Sequence, residues 1–277
     1  MRVAVVQMTS TDDLAGNLKA AREGVAEAAA QGAQWIALPE NFAYLRREGL
    51  PFPCAQDLSG EPAQWSGEIV DCLRELAARH RVWLLGGTLP ERIADDQRVH
   101  NTSLLLDPEG RVAARYRKLH LFDVDLGSAG GGRFCESEII APGEEVVVAD
   151  APFGPVGLSI CYDVRFPELY RRMADRGARW ITVPSAFAPH TGKDHWEVLL
   201  RARAIESQCF VLAPAQCGRH SEDRASYGRS MIVDPWGLVL AQGADRPCVA
   251  VADCDLADQD RIRAAVPSLQ HRRLGPA

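Results

Sequence analysis

The chain has 277 residues and a formal net charge of −6 at pH 7, with 47% hydrophobic and 25% charged residues. A chain of this length can bury a substantial core as one large domain or two. The acidic balance argues against non-specific nucleic-acid binding, which needs a basic surface. No apolar run approaches the roughly 20 residues that span a bilayer. We therefore expect a globular protein with neither nucleic-acid nor membrane partners.

The cysteine pattern and the N-terminus bear on the compartment. The eight cysteines are scattered, with no C-x-x-C pair and no spacing typical of a zinc site. The apolar run after Met1 is too short for a signal peptide and soon meets Asp12 and Asp13. We expect reduced thiols, no metal and a cytoplasmic location.

The first half of the chain alternates predicted strands and helices. Apolar runs indicate strands, and apolar residues at steps of three and four indicate helices. A D-P-E-G turn at 107–110 joins the last two strands as a hairpin. The predicted elements, in order, are a strand at 2–7, a helix at 14–28, a strand at 32–40, a helix at 69–77, and strands at 82–88, 101–106 and 111–116.

The second half repeats this order. Residues 177–184 match residues 32–39 in the frame G-A-x-W-I-x-x-P, and 234–237 is the counterpart of the turn at 107–110. We predict loops at 127–132 and 191–194. The predicted elements are strands at 156–161, 177–185, 209–213, 230–233 and 238–241, and helices at 168–176 and 196–205.

The repetition predicts an α/β fold in two pseudo-symmetric halves, each a sheet with helices on one face. The other face of each sheet is apolar and is most simply covered by the other sheet. The result is a four-layer α-β-β-α sandwich, a single domain over 1–277 with 256–277 as a C-terminal arm. The alternative is chance similarity between short motifs.

Three reactive side chains fall at the ends of predicted strands: Glu40, Lys118 and Cys161. Cys161 stands at a sharp junction between a strand and a helix, where nearby amides are expected to lower the pKa of its thiol. Taken singly, each has an ordinary alternative, namely a surface acid, a solvated lysine and a buried structural cysteine. Together they form a carboxylate–ammonium–thiol set suited to acyl transfer.

The segments that carry these residues resemble a known family. L-P-E at 38–40, Y-R-K-L-H at 116–120 and I-C-Y-D-V-R-F-P-E at 160–168 resemble the three signature segments of the nitrilase superfamily of carbon–nitrogen hydrolases. The likeness extends from Val3 to 270–273 and is strongest with the Nit branch. It implies the nitrilase-type α-β-β-α sandwich, a homodimer and no cofactor.

The resemblance also implies roles for particular residues. Cys161 is expected to be the nucleophile, Glu40 the general base and Lys118 the partner of the tetrahedral intermediate. The family has a second glutamate in its active site, and the resemblance aligns it with Glu136. Glu138 is the alternative if the alignment shifts by two positions. The backbone N–H of Tyr162 is a further candidate donor to the oxyanion.

The chain departs from the family at 126–133, a glycine-rich segment where relatives commonly carry a proline-containing loop. The departure leaves the three reactive residues untouched but leaves the shape of the pocket entrance undefined. Arg165, Arg219 and His220 are candidates for binding a substrate carboxylate, since guanidinium suits bidentate pairing. Arg165 is equally suited to a structural ion pair.

These observations predict an amidase that works through a cysteine thioester. The segments at 184–187, 195–206, 215–220 and 224–228 resemble branch members that cleave deaminated glutathione to 2-oxoglutarate and cysteinylglycine. The alternatives within the family are omega-amidase chemistry on 2-oxoglutaramate or hydrolysis of another small amide or N-carbamoyl compound. Those outside it are an inactive scaffold and a metalloprotein, although the chain lacks metal-ligand spacing.

Overall fold

The computed structural model describes residues 1–47, 52–127 and 132–274. In the first half lie helices α1 Leu14–Ala30 and α2 Glu68–His80, and strands β1 Arg2–Gln7, β2 Trp35–Ala37, β3 Trp83–Leu85, β4 Leu89–Arg92, β5 Val99–Leu106, β6 Val112–Arg117, β7 Asp123–Asp125 and β8 Arg133–Cys135. In the second half lie helices α3 Pro167–Asp175, α4 Pro189–Ser207 and α5 Leu256–Ala265, and strands β9 Val148–Ala149, β10 Val156–Leu158, β11 Trp180–Thr182, β12 Phe210–Ala213, β13 Cys217–Arg219, β14 Ala225–Tyr227, β15 Met231–Val233, β16 Val239–Gln242 and β17 Cys248–Asp253. None of the helices in these ranges is long and apolar enough to cross a membrane.

The two large sheets share one topology. In the first, β1, β2 and β3 are parallel neighbours, and β3 then pairs antiparallel with β5, which pairs with β6. In the second, β10, β11 and β12 are parallel neighbours, and β12 pairs antiparallel with β15, which pairs with β16. An antiparallel strand closes the other side of each trio, β17 beside β1 and β9 beside β10. The predicted repetition of the two halves is confirmed.

Alternate residues of the strands separate the layers. Val3 and Val5 of β1 belong to the core that includes the second sheet, whereas Ala4 and Val6 pack with α1 and α2. This alternation follows from the two-residue period of a strand, which points successive side chains to opposite faces. The first sheet therefore has helices on one face and the second sheet on the other. The α-β-β-α sandwich predicted from the sequence is confirmed.

The repeated tryptophans meet at the centre of the sandwich. Trp35 of β2 and Trp180 of β11 are fully buried, with ring centroids 5.3 Å apart in an edge-to-face arrangement. Phe153 stacks on Trp35 at 4.9 Å. Because large aromatic side chains bury much apolar area in well-defined geometries, the two copies of the W-I frame fix how the sheets face each other.

The prediction of a loop at 191–194 is wrong, because these residues lie in the first turns of α4. The segment lacks helical periodicity, but Pro189 suits the first helical position. Gly192 is required by packing: a Cβ atom there would lie 2.4 Å from the side chain of Tyr227. Tertiary contact with β14 thus overrides a weak local preference.

Two other sequence-based expectations concern the glycine-rich segment and the C-terminus. Residues 128–131 of the predicted loop at 127–132 lie outside the described residues; β7 and β8 pair on either side of it. In the predicted arm, α5 carries Gln259, which is fully buried and donates to the carbonyls of Arg179 and Gln208. No apolar periodicity marks this helix, because hydrogen bonds from Gln259 and Arg263, rather than an apolar face, attach it to the second sheet.

Candidate active site

Cys161 begins a single 3-10 turn, Cys161–Arg165, between β10 and α3. Its φ of 48° lies in the left-handed region, which costs a non-glycine residue roughly 1–2 kcal/mol. The backbone N–H of Cys161 donates to the carbonyl of Pro184 at 3.0 Å, and Pro167 begins the following helix. The thiol is thus held on a strained, sharply turned backbone three residues after the end of β10.

Asp163 ties this turn to the segment that carries Lys118. Its side chain is fully buried, and one carboxylate oxygen accepts from the Tyr116 hydroxyl at 2.7 Å and the Ile160 N–H at 2.9 Å. The other oxygen accepts from the His120 N–H at 3.0 Å and lies 2.7 Å from Nδ1 of that ring. Sequence reasoning missed this role of Asp163, although its place two residues after Cys161 was a signal.

Lys118 follows β6 directly and is 2% exposed. Its Nζ lies 3.2 Å from Oε1 of Glu40 and 2.9 and 2.8 Å from the two carboxylate oxygens of Glu136. Glu136 also accepts from the Phe122 N–H at 2.6 Å. Glu138, the alternative second glutamate, is exposed and does not contact Lys118. Of the two candidates, it is Glu136 that lies beside Lys118.

Glu40 is held at both carboxylate oxygens. Besides Lys118, its Oε1 accepts from Nδ2 of Asn101 at 2.9 Å, and its Oε2 accepts from the backbone N–H of Ala186 at 2.7 Å. Asn101 lies on β5, and its carbonyl accepts from the N–H of Lys118. The β5–β6 hairpin therefore supplies both the lysine and an amide that orients Glu40. Sequence reasoning did not identify Asn101 or Ala186.

The charge states follow from burial and mutual contact. Burial raises the pKa of Glu40, but the ammonium of Lys118 and the hydrogen bonds from Cys161 and Ala186 outweigh it, and the net pKa is lowered. Burial lowers the pKa of Lys118, but the charges of Glu136 and Glu40 outweigh it, and the net pKa is raised. At neutral pH the cluster therefore holds a carboxylate and an ammonium.

The pKa of the Cys161 thiol is raised well above its ordinary value by burial and by the negative charge of Glu40. Lys118 and the N–H of Ala186 act in the opposite direction but are weaker. The expectation that nearby amides would lower this pKa is therefore wrong, because the thiol is buried beside a carboxylate. The resting group is a neutral thiol hydrogen-bonded to a base.

The cluster opens into a cavity of about 700 Å³. Glu40, Lys118, Glu136 and Cys161 all line it, as does Tyr162. Its other walls combine aromatic side chains with charged ones: Phe52, Phe122, Phe134 and Phe187, and Arg46, Arg47, Glu222, Asp223 and Arg224. Small-molecule sites typically measure about 300–1,000 Å³ and are largely apolar with a few polar groups. This cavity has that size and mixture.

The N–H of Tyr162 is available as a donor. Within the ranges that the structure describes, no group accepts a hydrogen bond from it. Its ring packs edge-on against Phe122, with centroids 5.1 Å apart, at the cavity wall. Lys118 Nζ and this N–H are thus two donors beside the thiol.

The three carboxylate-binding candidates from the sequence do not line the cavity. Arg165 lies over the rings of Tyr162 and Phe187 and contacts Nδ1 of His195 at 3.2 Å. Arg219 is exposed and donates to the carbonyl of Glu222 at 2.7 Å.

His220 is buried between the carbonyl of Ser10, at 2.8 Å, and the hydroxyl of Ser226, at 2.9 Å. Burial lowers the pKa of His220 to about 4, so the ring is neutral at pH 7 and offers no charge to a carboxylate. Arg219 and His220 belong to the hairpin of β13 and β14. In the same hairpin, Arg224 does line the cavity.

Comparison with known proteins identifies the family of the chain that forms this cavity. The sequence model of the carbon–nitrogen hydrolase family matches residues 2–264. The chain belongs to the carbon–nitrogen hydrolase family. The chain is accordingly an enzyme of the class that hydrolyses amide C–N bonds, as the three sequence segments predicted.

Individual relatives of this carbon–nitrogen hydrolase are close in length and fold. A deaminated glutathione amidase of Synechocystis sp. is 43% identical over 97% of both chains. The crystal structure of Saccharomyces cerevisiae Nit3, of the nitrilase superfamily, superposes with a TM-score of 0.88 at 31% identity, over 99% of this chain and 97% of that one. A glutamate-to-glutamine mutant of an amidase from Nesterenkonia sp. AN1, with acrylamide added at its active-site cysteine, is 30% identical, with a TM-score of 0.76 over 99% of this chain and 96% of that one.

Proposed function

We propose that this carbon–nitrogen hydrolase cleaves its amide through a thioester on Cys161, with Glu40 as general base and Lys118 and the N–H of Tyr162 as donors to the oxyanion. Glu136 holds the charge of Lys118. The observation that carries the proposal is the buried Glu40–Lys118–Glu136 cluster at the Cys161 end of a cavity of ligand size.

The first half-reaction makes the thioester. Glu40 takes the proton of the Cys161 thiol as the sulfur attacks the amide carbonyl carbon. A raised thiol pKa suits this step, because the thiolate forms only as it bonds to carbon, next to a carboxylate already positioned by Asn101 and Ala186. The developing oxyanion accepts from Lys118 Nζ and the Tyr162 N–H, and one such donor typically contributes about 100- to 1,000-fold in rate.

Collapse of this tetrahedral intermediate completes the first half-reaction: Glu40 gives its proton to the amide nitrogen, the C–N bond breaks, the amine leaves and the thioester remains. The second half-reaction returns the enzyme to its starting state. Water attacks the thioester while Glu40 takes one of its protons, and the Cys161 sulfur departs and recovers a proton from Glu40. The net reaction consumes one amide and one water and releases a carboxylic acid and an amine.

We infer that the substrate is deaminated glutathione, the 2-oxo analogue of glutathione, which would give 2-oxoglutarate and cysteinylglycine. The support is the Synechocystis relative, a deaminated glutathione amidase that matches this chain over nearly its whole length. The cavity of about 700 Å³ also has room for the larger of the two amides, since sites for drug-sized ligands measure about 300–1,000 Å³. The alternative is 2-oxoglutaramate, which has the same acyl half and releases ammonia.

The test compares kcat/KM for the two amides with the same enzyme preparation. We expect a clear preference for deaminated glutathione, detected as 2-oxoglutarate formed without ammonia. A preference for 2-oxoglutaramate would contradict the substrate assignment. No hydrolysis of either, with a Cys161 that reacts with an unselective thiol reagent, would favour the reading of an inactive scaffold.

A further inference from the structure

The catalytic end of the cavity carries a net negative charge. Two carboxylates, Glu40 and Glu136, surround one ammonium, Lys118. Because the proposed substrate has a carboxylate at each end, its charge must be met by cations elsewhere along the cavity. Apart from Lys118, the lining cations among the described residues are Arg46, Arg47 and Arg224.

Two of these arginines already have partners. Arg47 forms an ion pair with Asp12, with its Nε 2.7 Å from a carboxylate oxygen. Arg46 donates to the carbonyl of Arg47 at 3.1 Å and lies 5.4 Å from the centroid of the Phe52 ring. Their charge and hydrogen-bonding capacity are thus partly used within the protein.

Arg224 is different. Its side chain makes one long hydrogen bond, at 3.4 Å, to the carbonyl of Arg46, and no described carboxylate lies within ion-pair distance of it. A guanidinium has five donors in a planar fork that matches a carboxylate. Most of that capacity therefore faces the cavity without a partner from the described residues.

The backbone of Arg224 is held by hydrogen bonds within its turn. It lies in the turn between β13 and β14, where its carbonyl accepts from the N–H groups of His220 and Ser221 at 2.8 and 3.3 Å. The buried ring of His220 anchors the same turn to Ser10. A turn with a fixed backbone thus presents a guanidinium that has no carboxylate partner among the described residues, an arrangement that limits the entropy lost on binding.

The position of Arg224 places it at the solvent end of the cavity. It is half-buried, its neighbours Glu222 and Asp223 are exposed, and the catalytic side chains are buried. The two acids leave this end without a large net positive charge, so recognition would depend on one guanidinium rather than on a basic surface.

We propose that Arg224 is a carboxylate-binding residue that takes the carboxylate on the leaving-group half of the substrate. The inference rests on the proposed function and explains how the enzyme would distinguish two amides with the same acyl half. An amide that releases ammonia has no group to reach Arg224. The residue would therefore set specificity without taking part in bond cleavage.

The test uses two substrates that differ only at the far end: deaminated glutathione and its analogue in which the glycine carboxylate is a carboxamide. We expect Arg224→Gln to lower kcat/KM for the carboxylate substrate by about 10- to 100-fold, mainly through KM, and for the carboxamide by less than about 3-fold. Arg224→Lys should recover part of the loss. Arg219→Gln, in the same hairpin but outside the cavity, is the matched control and should leave both values unchanged.

The outcomes separate this inference from the proposed function. Equal losses on both substrates, or a loss confined to the Arg219 variant, would overturn the role of Arg224 while the wild-type enzyme still hydrolyses deaminated glutathione. Failure of the wild-type enzyme to hydrolyse either substrate would overturn the proposed function and this subsite with it.

Discussion

Asn101 offers a sharp test of how Glu40 is held. Its Nδ2 donates to Oε1 of Glu40 at 2.9 Å, its side chain is 4% exposed, and its own Oδ1 has no hydrogen-bond partner among the described residues. Asn101→Leu replaces the amide by an apolar group of similar shape. Glu40 keeps Lys118 at Oε1 and the Ala186 N–H at Oε2.

The expected loss follows from the kind of bond removed. A hydrogen bond to a charged group contributes about 1.5–3 kcal/mol. If that energy acts in the transition state, kcat/KM should fall by about 10- to 150-fold, since about 1.36 kcal/mol corresponds to a factor of ten. The free energy of unfolding should change little, because the substitution also removes a buried oxygen that has no hydrogen-bond partner. Burying such an oxygen destabilises the folded state by about 1–3 kcal/mol.

The pH dependence distinguishes this role from simple packing. The bond from Asn101 favours the ionised form of Glu40, so its loss should move the acid limb of kcat/KM to higher pH. The other groups that act on Glu40, namely the ammonium of Lys118, the neutral thiol of Cys161 and the N–H of Ala186, are unchanged. Ser103→Ala is the matched control, since Ser103 lies two residues along β5 and its buried hydroxyl also lacks a partner in the described part of the chain. A variant at Asn101 with more than half of the wild-type kcat/KM and an unshifted acid limb would refute the reasoning.

Three further predictions concern the cluster itself. Cys161→Ala should abolish turnover and the mass shift of a trapped acyl-enzyme while keeping the melting temperature nearly unchanged; residual turnover above a trace would exclude the thioester. Lys118→Met should lower kcat by at least about 100-fold and, by leaving the buried Glu40 and the partly exposed Glu136 without their ammonium partner, destabilise the fold by about 3–5 kcal/mol at pH 7. This effect should shrink as mildly acidic buffer protonates the carboxylates, which calorimetry against pH checks. In the wild-type enzyme, the lowered pKa of Glu40 predicts that kcat/KM stays flat as the pH falls through the ordinary glutamate value of about 4.3 and drops only below it, and an acid limb above about pH 5 would contradict that assignment.

The sequence determined the architecture because its signals are local and are repeated. The period of apolar residues located α1 and α2, and the D-P-x-G turns located two hairpins. The shared frame around Trp35 and Trp180 predicted two equivalent sheets, and the structure brings those rings together. Glu40, Lys118 and Cys161 were located by the three segments that resemble the signatures of the family, and each lies within three residues of the end of a strand.

The tertiary structure alone decided what surrounds those three residues. Glu40 depends on an amide 61 positions away in Asn101 and on an N–H 146 positions away in Ala186, and no local pattern encodes such pairs. The raised thiol pKa of Cys161 likewise depends on burial beside Glu40, which the sequence could not show.

The sequence was equally unable to show which basic residue at 219–224 lines the cavity. Arg219, His220 and Arg224 lie within six positions of one another in the sequence, and their side-chain types alone made the first two reasonable ligands. The register of β13 and β14 sends Arg219 to solvent, buries His220 against Ser10 and turns Arg224 into the cavity. Residue type and spacing thus determined the fold and the reactive groups, whereas the direction of each side chain was set by contacts between segments distant in the chain.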